Sequence, residues 1–173
     1  MKLSRRDALA ALAATGTAVG GAVVLTSDDE SNDRPLDADS RETMIAAAHT
    51  LYPTPVENVA SFVETFLNGR VHDHPDHAAG IATATNYLDD YARAWHDEDF
   101  ADLHRLTRSD ALHAMNADTA DPDPSGNDVE RVRYYVVNDL LYALYASPTG
   151  GKLVGIENPI GHPGGTGSYQ QPP

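Results

Sequence analysis

The chain has 173 residues, a formal net charge of −14, a pI of about 4.7 and no cysteine. That length suits one domain with a real core. The missing cysteines exclude disulfides, thiolate metal sites, iron–sulfur clusters, covalent c-type haem and cysteine nucleophiles, and nucleic acid is disfavoured because no basic patch exists to displace phosphate counterions.

The kind of charge says more than its size. Aspartate far outnumbers glutamate, and Lys152 is the only lysine after Lys2. Short, well-hydrated carboxylates suit a surface bathed in concentrated salt, where screening removes most self-repulsion. The composition therefore points to a halophilic protein. A cationic partner explains it less well, because the acid is spread along the whole length.

Residues 1–26 read as an address. Lys2, Arg5 and Arg6 precede a mildly apolar run from Ala8 to Leu25, and Ser4-Arg5-Arg6-Asp7-Ala8-Leu9 resembles the twin-arginine export signal. Gly16, Gly20 and Gly21 make the run a poor membrane anchor, although an uncleaved anchor stays open because the run is barely long enough to span. The expected location is outside the cytoplasmic membrane, free or anchored at its outer face. Residues 27–39 form an acidic linker with little to bury, and ordered structure is expected from about Ser40.

Residues 41–51 place Met44, Ala47, Ala48 and Leu51 on one helical face and stop before Pro53. Thr54-Pro55-Val56-Glu57 has the capping-box pattern and predicts a helix carrying Val59, Phe62, Val63 and Phe66, closed by Gly69. Pro75 opens a long helix with Ile81, Ala84, Leu88, Tyr91, Ala92 and Trp95 as its stripe. Phe100, Leu103 and Leu106 suggest a short helical turn. Thr107 and Asp110 read as the cap of a segment with Leu112 and Met115, and residues 118–127 as an acidic, proline-broken loop.

The strongest helix signal follows. Val129, Val132, Val136, Leu140, Leu141 and Leu144 recur at helical spacing, with Tyr134, Val137, Ala143 and Tyr145 widening the stripe. Asp128 and Glu130 favour its start, while Pro148, Gly150 and Gly151 mark its stop. Beyond it, Leu153, Val154, Ile156, Ile160 and Tyr169 are apolar residues scattered among glycines and prolines. The expectation is an all-α protein: a helical bundle over 40–147 and an irregular docking arm over 148–173.

Several clusters invite a chemical reading. His72, His74 and His77 lie with Asp73 and Asp76 in metal-like proximity, but their spacing matches no recurring ligand motif and a solvated loop explains them better. Gly161 to Gly167 lacks the strand and helix that a phosphate loop needs. Tyr135, Asp139 and Tyr142 share a helix edge, where Asp139 could accept a tyrosine hydroxyl or the edge could face another protein. Arg133 points to the apolar side and is expected to find a carboxylate.

The twin-arginine leader, a first helix ending in Leu51-Tyr52-Pro53, the Val59, Phe62, Val63, Phe66 helix, the tyrosine-rich late helix and the tail Gly161-His162-Pro163-Gly164-Gly165 together resemble the gluconate 2-dehydrogenase subunit 3 family over about residues 40–165. The resemblance implies a small noncatalytic subunit that accompanies a large FAD-containing flavoprotein of the glucose–methanol–choline type, with a cytochrome c subunit in some complexes. It implies no cofactor in this chain. Arg5 and Arg6 would meet the twin-arginine translocase and carry the folded flavoprotein with them. Leu153, Val154, Ile156, Ile160 and Tyr169, with Tyr135 and Tyr142, would grip that partner. Two alternatives remain: a free-standing extracytoplasmic metal-binding helical protein using His72, His74 and His77, or a membrane-tethered structural protein.

The composition makes a prediction. Circular dichroism in molar salt should show a mainly helical spectrum that weakens on dilution, as unscreened carboxylates repel; an unchanged spectrum at low salt would remove the halophilic reading.

Overall fold

The computed structural model describes residues 1–14 and 36–155. Among these residues the protein is all-helical, with one isolated β-bridge between Lys2 and Glu57 and no strand. No described helix is long and apolar enough to cross a membrane.

The domain is built round α2 (Ala38–Leu51), which touches most of the other helices. Asp37 caps it, accepting the Ser40 N–H at 2.8 Å, and Pro53 prevents its continuation. Met44, Ala47 and Ala48 are fully buried; the alanines allow α3 (Val59–Asp73) and α4 (Pro75–His96) to approach closely. His74 ends α3 and begins α4, so the chain turns a corner on one residue, with Pro75 taking the first helical position where no N–H is needed. Buried Asp89 on α4 accepts the Thr43 hydroxyl of α2 and the Phe100 N–H, each at 3.1 Å. Burial pushes its carboxyl above the ordinary range despite these bonds.

After α5 (Arg105–Ala114) and the acidic loop, Asn127 and Glu130 form a reciprocal capping box that starts α6 (Asp128–Val132). The late helix then widens into a π-helical segment, Arg133–Asn138, before resuming as α7 (Asp139–Ala146). Tyr52, buried at the end of α2, donates its hydroxyl to the Leu140 carbonyl at 2.8 Å and so ties α2 to α7.

Several expectations need correction. Order does not begin near Ser40: α1 (Arg5–Ala14) packs against α3 and α7 with Leu3, Ala8, Ala11 and Leu12 buried. Its start is another capping box, in which Ser4 and Asp7 bond each other's backbone N–H. Thr54 caps nothing; α3 begins at Val59 after Asn58 in the left-handed region (φ 61°), because residues 55–58 are held by the N-terminal strand-like segment instead. Gly69 does not close α3. It lies inside the helix, where a Cβ would run into the Leu12 methyls.

Two further differences concern α4 and α5. His104, not Thr107, caps α5. Trp95 leaves the α4 stripe and is 71% exposed; at 22 residues α4 is about 33 Å long against about 21 Å for α2, so its last turn overshoots. The arm begins with short helical turns, α8 (Pro148–Gly151) and a 3-10 turn at Lys152–Val154, capped by Ser147. Ile156, Ile160 and Tyr169 lie outside the described residues, as does most of the acidic linker.

Asp7 fastens α1 to α8. One carboxylate oxygen caps α1 and the other accepts the Thr149 N–H at 2.9 Å. Burial raises the carboxyl, but the bonds from Ser4 and Thr149 outweigh it and hold the group below its ordinary value of 3.8. A lowered carboxyl stabilises the packed form above that ordinary value, and the contribution is lost as pH falls through the lowered one. Asp7→Ala should therefore lower the hydrogen-exchange protection of α1 about fivefold, the effect of about 1 kcal/mol, and acidifying the wild type through the lowered value should lower that protection likewise, measured against the intrinsic exchange rate at each pH.

Candidate functional site

Arg70 and Asp139 each occupy a position that helical spacing assigns to an apolar stripe: Arg70 after Val63, Phe66 and Leu67, Asp139 between Val136 and Ala143. A cation and an anion both forced inward must find each other. Arg70 Nη2 meets Asp139 Oδ1 at 2.7 Å with both side chains over nine-tenths buried. The other carboxylate oxygen lies 3.0 Å from His77 Nε2. The guanidinium also covers the Phe66 ring, 5.0 Å from its centroid, while its Nε has no hydrogen-bond partner. One carboxylate thus joins α3, α4 and α7.

An aromatic cluster stands over this network. His77 meets the Tyr135 ring edge-on at 5.1 Å and lies 6.0 Å from that of Tyr134, and the two tyrosines meet edge-on at 4.9 Å. Gly80, one turn after His77, leaves the space that the Tyr135 ring fills. Burial, reinforced by Tyr134, raises the Tyr135 hydroxyl above its ordinary value. The π-helical segment carries both tyrosines and Asn138, and such wide turns often mark functional positions.

These residues border an open cavity of about 530 Å³, lined by Ala14, Arg70, His74, His77, Tyr134, Asn138, Asp139 and Tyr142. Tyr142 is exposed at its rim and donates its hydroxyl to the Ala14 carbonyl at 3.0 Å. Tyr145, one turn further along α7, is also exposed. Such a site offers hydrogen bonds and aromatic faces round a fixed buried charge pair, a combination suited to recognition.

The structure thus brings His77, Tyr135, Asp139 and Tyr142 together, from two separate sequence arguments. It does not bring all three histidines together: His74 and His77 both border the cavity, and His72 does not. His72 projects into solvent, His74 turns the corner and His77 faces Asp139, and among the described residues no group of three potential ligands is placed to hold a metal ion. Asp139 takes Arg70 and His77 instead of a tyrosine hydroxyl. Arg133 finds the Ala117 and Asp118 carbonyls, at 3.3 and 3.0 Å, instead of a carboxylate. On the arm, Leu153 is half-buried against the core and Val154 is exposed. Arg5 and Arg6 face solvent on α1.

Residues 38–164 match the family described as gluconate 2-dehydrogenase subunit 3. The chain belongs to that family. The match covers every element from α2 onward and leaves α1 outside. Membership makes the protein kin to a subunit of a dehydrogenase complex, and the cavity just described lies within the matched domain apart from Ala14. No curated protein and no solved structure gave a match.

Removing one member of the buried pair leaves the other charged and alone. Arg70→Ala or Asp139→Asn should each cost about 3–5 kcal/mol in urea unfolding followed in molar salt, whereas the double replacement Arg70→Met with Asp139→Leu should cost clearly less than the sum.

Proposed function

We propose that this protein is the small accessory subunit of an exported FAD-dependent oxidoreductase of the gluconate 2-dehydrogenase type. It binds the large flavoprotein of the glucose–methanol–choline class and carries it, already folded round FAD, through the twin-arginine pathway. The observation that carries this reading is the family match over the helical domain. The flavin chemistry resides in the partner, and a cytochrome c subunit would take the electrons onward where the complex has one.

The geometry supports a binding surface on α7 and the start of the arm. Tyr142 and Tyr145 on α7 and Val154 on the arm are exposed apolar or amphipathic groups, and tyrosine suits interfaces because it is large, rigid and able to hydrogen-bond. The cavity beside Tyr142 would receive a side chain of the flavoprotein. Tyr135, packed on Gly80, supports this surface from behind, while Leu153 anchors the start of the arm. Ile156, Ile160 and Tyr169 would extend the grip.

Replacing Arg5 and Arg6 with lysine should leave both this protein and the flavoprotein in the cytoplasm, read by fractionation and flavin content outside the cell. Stranding of this protein alone would end the carrier role. Deleting residues 155–173 should weaken co-purification of the flavoprotein while leaving the helical spectrum unchanged, because the buried Gly150 and Gly151 are retained. The control is His72→Ala, which removes a solvent-exposed histidine away from the cavity, spares the His77 bond to Asp139 and should bind the flavoprotein normally.

A further inference from the structure

The subunit 3 domain carries a groove between α3 and α7, closed at one end by α8, and residues 1–14 of the same chain lie in it. The fit is specific. Leu3 and Leu12 are 1% exposed, and Ala8 and Ala11 are sealed. Gly69 of α3 provides the space for Leu12. At the near end the backbone pairs with residue 57, Leu3 N–H to the Glu57 carbonyl at 3.0 Å and Glu57 N–H to the Met1 carbonyl at 2.7 Å. The Thr149 N–H holds Asp7, and at the far end the Tyr142 hydroxyl holds the Ala14 carbonyl. The occupant comes from outside the family match, which starts at residue 38.

This docked form depends on the groove. A ten-residue helix is too short to persist alone in water. Arg5 and Arg6 sit at the positive end of its dipole, where cations weaken a helix and Asp7 offsets them only in part. Outside the groove the segment would unwind. The chain between Ala14 and Leu36 reaches on the order of 70 Å when extended, so the segment can leave while the domain stays folded.

The same apolar residues cannot lie in the groove and in an export apparatus at once. We propose that the docked segment is an export-silent state, and that the flavoprotein releases it by occupying the cavity at Tyr142. Ala14 and Tyr142 both line that cavity, so a partner side chain entering it competes for the hydroxyl that holds the end of α1. Export then waits for assembly, and an empty carrier is not sent out. This rests on reading residues 1–26 as an export signal.

The test uses the full chain, expressed with and without the flavoprotein, and variants that leave the leader sequence intact. Gly69→Leu fills the space of Leu12 and favours helix more than glycine does, so α3 keeps its form. Tyr142→Phe removes only the bond to Ala14 and serves if Gly69→Leu fails to fold. Without the flavoprotein the wild type should remain inside the cell, and Gly69→Leu should raise export about tenfold, with faster hydrogen exchange over residues 1–14. Free export of the wild type without its partner overturns the proposal. So does a variant whose segment is released but whose export is unchanged, and so does continued protection of residues 1–14 in both variants. The export reading fails separately, by normal secretion when Arg5 and Arg6 are both lysine.

Discussion

The bond between Arg70 and Asp139 fixes the middle of this molecule. Two charges taken out of water must satisfy each other closely, and any partial separation is costly. Because Arg70 is on α3, Asp139 on α7 and His77 on α4, the pair sets where three helices meet and how far each can rotate. The aromatic cluster and the cavity are consequences. Tyr134 and Tyr135 stand where they do because His77 is held from below, and the cavity has a rigid floor because its charged groups are already paired.

The N-terminal segment uses the same frame from another side. Gly69 precedes Arg70, so one turn of α3 faces the Leu12 methyls with one residue and the guanidinium network with the next. Tyr142 likewise divides its contacts between the cavity and the end of α1. The position of the N-terminal helix and the shape of the cavity are thus set by adjacent residues on shared elements, which is the physical condition for one to influence the other.

Local signals carried much of the fold. Pro75 and the acidic residues Asp128 and Glu130 mark helix starts without help from tertiary structure, and the apolar periods of α2, α4 and α7 identify their buried faces. The places that sequence reading missed are those decided by distant residues. Gly69 looks like a helix stop unless Leu12 is known to lie against it, and Gly80 looks neutral without Tyr135. Thr54 to Glu57 has the pattern of a cap, yet residues 55–58 are held by residues 1–3. The wide turn at Arg133–Asn138 has no composition of its own. The charge pair was accessible in principle: Arg70 and Asp139 each interrupt an apolar stripe, and two such interruptions of opposite sign imply a meeting.

The overshoot of α4 has a practical side. Trp95 is the only tryptophan in the chain, and its indole already sits in water beside Tyr91 in the folded protein. Unfolding moves that ring from one aqueous setting to another. Its emission therefore reports the last turn of α4 and is nearly blind to the core, so a flat tryptophan signal during denaturation would say nothing about whether the bundle had come apart.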